Sequence, residues 1–109
     1  MIVSDDTVSK ALAYLAEDPH PLAEAQAGLM LAEKRRDELF AQLYLDTEGT
    51  AKERESRVMI HPAFKNCRDE EISANREVSR HRQRTKAADK ILDIYQTQSA
   101  NVRKAERIR

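Results

Sequence analysis

The chain has 109 residues, of which 40% are apolar, 5% aromatic and 35% charged, with no tryptophan and only 2 glycines. That length allows one domain at most, and that composition excludes a large private core while favouring long helices over sheets. Net charge is zero, yet residues 1–49 hold 4 Lys/Arg against 10 Asp/Glu and residues 50–109 hold 15 against 9. An acidic half and a basic half either pair with each other or present separate faces.

A single helical domain is predicted over 1–109, and its first element is a short helix within 1–18. Ser4-Asp5-Asp6 supplies capping groups, and Val8, Leu12 and Leu15, with Ala11 beside them, form one apolar stripe. Asp18-Pro19-His20-Pro21 ends that helix, because two prolines two residues apart cannot both sit inside it. The next helix is predicted over 22–46. Leu22, Leu29, Arg36 and Leu43 recur every seven residues with Ala25, Ala32 and Leu39 between them, a coiled-coil seam with one basic interruption.

The stretch 43–62 then turns the chain. Gly49 stands where positive φ closes a helix, and Thr50 precedes Glu53 at the spacing of a capping box, which starts a short helix over 50–60. Pro62 suits a first helical turn and pushes His61 out of helical geometry, so the chain either turns a corner there or kinks a continuous rod. A long helix follows over 62–106. Its seam reads Ala74, Val78, His81, Thr85, Ala88, Leu92, Tyr95, Ser99, Val102, but Ser79 to Lys86 contains no apolar residue. A helix polar all round is solvated, bridging, or waiting for a partner.

Catalytic and metal-binding patterns are missing from the sequence. His61 and Cys67 lie six apart on different faces, His20 and His81 are isolated, and no paired-cysteine, HExxH, GxSxG or phosphate-loop motif occurs. Glu53 and Glu55 point away from each other, and Asp69, Glu70 and Glu71 fall in the early turns of the long helix, where they oppose its dipole. A non-enzymatic chain without cofactor or metal is expected. A single cysteine favours a reducing compartment, the acidic start is unlike a signal peptide, and no apolar run is long enough to span a membrane.

The basic stretch is the remaining candidate. Arg80, Arg82, Arg84, Lys86 and Lys90 stand against Asp89 within eleven residues, with Arg80, Arg84 and position 87 on one line of the helix and Arg82, Lys86 and Lys90 on another. Such an array suits phosphates, whose neutralisation releases counterions without any reading of bases. Lys34, Arg35 and Arg36 form a second cluster, and Arg103 lies in the base-rich tail. The competing expectation is a solvated face whose charges pair with Glu33, Asp37 and Glu38 of a neighbour. Phe64 and Tyr95 lie outside the basic stretch, so the sequence offers no stacking platform for bases.

Gly49, Arg54 and Glu55, then Phe64, then Thr97-Gln98-Ser99-Ala100-Asn101-Val102-Arg103 follow a pattern spread over residues 22–107. In this the chain resembles small helical proteins of tailed phages, the UvsY-type recombination mediators. It departs from their pattern at Ala41 and Leu43, where bases would precede the glycine, and at Tyr95-Gln96, where an aromatic–arginine pair would stand. The resemblance implies a homo-oligomer in the cytoplasm of a bacterial host that binds single-stranded DNA and helps load a RecA-type recombinase against a single-strand-binding protein. Gly49, Thr50, Glu53, Arg54, Glu55 and Pro62 are then structural residues of the corner. The expectation is all-α: a helical hairpin plus one long C-terminal helix with coiled-coil-like packing, oligomeric. Its charged residues either contact DNA or, in a scaffolding bundle or protein-binding inhibitor, pair between protein surfaces.

Overall fold

Side chains that satisfy orphan amide groups set where each helix begins. In a computed structural model, which describes residues 2–108, the chain forms α1 (Asp5–Leu15), α2 (Pro21–Asp46), α3 (Ala51–Ile60) and α4 (Pro62–Ile108). No strand occurs among the described residues, so the fold is all-α. Ser4 caps α1, its Oγ accepting from the Thr7 amide at 3.2 Å. The helices α2 and α4 share a different start. His20 and His61 each precede a proline, and their Nδ1 atoms accept from the amides of Leu22 and Ala63, both at 3.1 Å. Proline at the first helical position lacks the amide that would go unsatisfied there, and the histidine ring takes up the next one.

The corner before α3 is built as its sequence predicts. Gly49 has φ +123°, Thr50 Oγ1 accepts from the Glu53 amide at 3.2 Å, and Glu53 Oε2 accepts from the Thr50 amide at 3.4 Å. His61 is extended, at φ −66° and ψ 133°, so α3 and α4 are separate helices meeting at a corner.

The chain packs as two compact units, Met1–Leu22 with Arg80–Arg109, and Ala23–Ser79. In the first unit Ala11, Tyr14 and Ala88 form the buried core, with Leu15 and Ile91 packed against it. The stripe of α1 is therefore rotated from the one its leucines suggest: Leu12 is 51% exposed, while Tyr14 is 3% exposed. A large ring with a bonded hydroxyl outweighs one leucine in choosing the face that docks. Along α4 the buried line follows His81, Thr85 and Ala88 and keeps Leu92 and Ser99 of the predicted seam, but it widens to take in Ile91, Ile94 and Gln98, while Tyr95 and Val102 are exposed.

In the second unit the six seam positions of α2 that follow Leu22 belong to one partly buried face with Ala32 at its centre. Phe40 meets Phe64 edge-on at 5.9 Å between ring centroids and stacks with Tyr44 at 6.0 Å. The seam of α4 extends back through Ala74 and Glu71 to Cys67 and Phe64, all at least half-buried. Val58 of α3 and Val78 of α4 are 1% exposed.

Candidate nucleic-acid interface

Between residues 80 and 90 α4 has no glycine, proline or large apolar side chain, and its Arg, Gln, Lys and Ala residues all favour helix. Thr85, like His81 and Asp89, ranks lower in propensity, and its hydroxyl donates back to the His81 carbonyl at 2.8 Å. The inward side of this polar stretch is occupied. The Tyr14 hydroxyl of α1 donates to the same His81 carbonyl at 3.1 Å, and it lies 3.3 Å from both Thr85 Oγ1 and His81 Nδ1. The rings of Tyr14 and His81 are nearly parallel, 8° apart, at 6.3 Å. A helix segment without apolar residues thus docks through hydroxyl and carbonyl groups around one buried tyrosine.

The five basic residues divide by what they touch. Arg84 places its guanidinium carbon 4.3 Å from the centre of the Tyr14 ring, a cation–π distance. Arg80 Nη2 lies 3.4 Å from His81 Nε2. Arg82, Lys86 and Lys90 are exposed along one line of α4, and none of them forms an ion pair with another described residue. Further along, Arg103 is exposed, donates from Nε to the Ser99 carbonyl at 3.4 Å, and lines a shallow groove with Lys104 and Arg107. Among the described residues the base-rich tail therefore contributes two cations beyond Arg103.

Lys34, Arg35 and Arg36 belong to the second unit and do not act alike. Lys34 and Arg35 are exposed. Arg36 Nη1 donates to both carboxylate oxygens of Glu71, to Oε2 at 2.7 Å, while its Nε and Nη2 reach Asp37 Oδ1 at 3.2 and 3.1 Å. The hydrogen bond to Asp37, followed by the charge of Glu71, holds the Arg36 guanidinium above its usual pKa. This arginine is committed to the packing of α2 on α4, and one of its partners is 35 residues away in sequence rather than in the acidic run around it.

Around the corner the structure assigns roles unequally. Arg54 lies over the Tyr44 ring at 5.5 Å, with its Nε buried and without a hydrogen-bond acceptor among the described residues. Glu55 is exposed. The group that ties the turn is Arg57, whose Nη1 donates to the Glu48 carbonyl at 3.0 Å. Arginine spacing alone does not separate Arg54 from Arg57, since both lie within one turn of each other. Among the described residues no group of three or more His, Cys, Asp or Glu gathers in a metal-binding arrangement, and no helix is long and apolar enough to cross a membrane. Comparison with protein-family models, curated proteins and solved structures finds no match to this chain.

Proposed function

We propose that this chain is an accessory nucleic-acid-binding protein that holds single-stranded DNA by its phosphates along α4. The observation that carries the reading is the exposed line of Arg82, Lys86 and Lys90, spaced by about 6 Å along the helix at about 1.5 Å per residue. Cations held one turn apart on a stiff helix neutralise successive phosphates with little ordering of the protein, and released counterions supply the affinity. The proposal extends to the working mode of the UvsY-type mediators. In that mode a homo-oligomer with coiled-coil-like helix packing, in the cytoplasm of a bacterial host, assists a RecA-type recombinase against a single-strand-binding protein. Exposed Met30, Leu31, Leu45, Met59, Ile60 and Ile72 in the second unit support the oligomer, as apolar surface that further copies would cover.

A scaffolding oligomer without nucleic acid is the second reading. The same exposed apolar residues of the second unit favour it as much, since further copies would cover them with or without DNA. Titration of fluorescent single-stranded DNA at several salt concentrations separates the two. The DNA-binding reading expects a linear fall of log affinity with log salt, with a slope of about −0.7 per neutralised phosphate. Absence of binding at low salt leaves the scaffold.

A further inference from the structure

We infer that the groove between α1 and α4 beside Arg84 receives one nucleobase of the bound strand, so that the protein grips bases as well as phosphates. The inference rests on the DNA-binding reading above and deepens it. Two matching lines of side chains face each other across the groove. Thr7, Lys10, Ala11 and Tyr14 of α1 stand at i, i+3, i+4, i+7, and Arg84, Ala87, Ala88 and Ile91 of α4 repeat that spacing. Three alanines keep the groove open where larger residues would fill it, and its volume is about 210 Å³. Sites for drug-sized ligands run from about 300 to 1,000 Å³, so this one suits a single ring system.

The distribution of charge selects the occupant. The walls formed by Ala11, Ala87, Ala88 and Ile91 are apolar, and two cations stand at the margin, Lys10 and Arg84. A flat, weakly polar body carrying anionic groups at its edge is complementary to that arrangement, and a nucleotide unit of a strand is such a body. Lys10 also pairs with Asp6 at 3.2 Å, but both side chains are almost fully exposed, and pairs of this kind are readily exchanged.

Arg84 supplies the stacking surface that no aromatic residue of the basic stretch provides. Its guanidinium carbon lies over the ring of Tyr14, which is itself fixed through its hydroxyl to the His81 carbonyl. Arg84 remains exposed. A planar cation already held against a ring offers its other face to a base at small entropic cost, and a lysine there would not.

The test compares two single-stranded oligonucleotides of equal length, one of thymidines and one with abasic sites throughout, so that the phosphates are the same. Wild-type protein is expected to bind the thymidine strand at least about fivefold more tightly, the lower end of one stacked base. Ala87→Leu fills the groove without adding charge or lowering helix propensity, and it should abolish that preference while the salt slope stays unchanged. Arg84→Lys keeps the charge and should reduce the preference likewise, which keeps the test decisive if circular dichroism shows Ala87→Leu to be unfolded. Equal wild-type affinity for both strands, with a normal salt slope, overturns the base slot and leaves phosphate binding standing. A preference that survives both substitutions also overturns it. Failure of both strands to bind overturns the slot together with the reading it rests on.

Discussion

Gly49 holds φ at +123°, in a region that side chains other than glycine enter only under strain. A Cβ built there would lie 2.5 Å from Glu53 Oε2 and 3.3 Å from the Glu53 Cβ. Glu53 can swing away, but only by giving up its bond to the Thr50 amide, so the backbone penalty and the capping loss arrive together. Gly49→Val is therefore expected to lower stability by about 1–3 kcal/mol. Gly28 is the control. It lies inside α2 with nothing within 4 Å of the place an alanine methyl would take, and Gly28→Ala is expected to raise stability by up to about 1 kcal/mol. Thermal melts that rank the two variants the other way would remove the turn from its structural role. Arg36 shows a different use of a single residue. Its pKa is raised by Asp37 and Glu71, so the stability it contributes is present at every pH below the ordinary arginine value and is lost only as pH rises through a still higher one. Across the working range of a protein, protonation of Arg36 does not change.

At the scale of elements, α2 and α4 begin in the same manner, with histidine as cap and proline after it. His61 is the more exposed and isolated of the two caps, since His20 also meets the Tyr14 ring edge-on at 5.1 Å. His61→Ala is expected to cost about 1 kcal/mol by leaving the Ala63 amide unanswered, and His61→Asp should recover that loss, because aspartate is a strong cap and favours the positive end of the helix dipole. Equal melting temperatures for wild type and His61→Ala would show that water answers the amide as well as the ring does. The proline start at Pro62, the capping box at Thr50 and the seven-residue seam of α2 were legible, because each depends on residues within one or two turns of one another, whereas the histidine caps were not read. The docking of α1 was legible only in part, since Val8, Ala11 and Leu15 of its stripe are buried or half-buried while Leu12 is exposed and Tyr14 was missed. Its face is chosen by Tyr14, whose hydroxyl partners lie 67 and 71 residues away, and nothing within α1 marks that ring as more decisive than Leu12. The same separation hid the aromatic support of Arg84, which sequence places in a stretch without any aromatic residue.

For the whole molecule the question is what the surplus cations do, and the basic residues no longer form one class. Arg36 is held by carboxylates and Arg84 by a ring, whereas Arg82, Lys86 and Lys90 extend from α4 without an ionic partner among the described residues. The charge pattern in the sequence located all of them and could not sort them, because sorting requires knowing which side of α4 faces Tyr14 and which side of α2 faces Glu71. Replacing Arg82, Lys86 and Lys90 together by glutamine uses that division. Glutamine keeps helix propensity, and none of the three contributes to a buried cluster, so helicity and melting temperature should remain those of wild type. If the line neutralises phosphates, affinity for single-stranded DNA should fall steeply, and the log–log salt slope should flatten by about 0.7 for each phosphate left without its cation. Light scattering on the same sample reads the other possibility. Should these cations instead pair with acidic groups of a neighbouring copy, the triple variant would assemble less while showing no change in DNA binding. A loss of affinity at constant assembly size assigns the line to nucleic acid. Loss of assembly assigns it to the interface between copies, because a charge cannot be removed from a protein interface without leaving its partner unanswered.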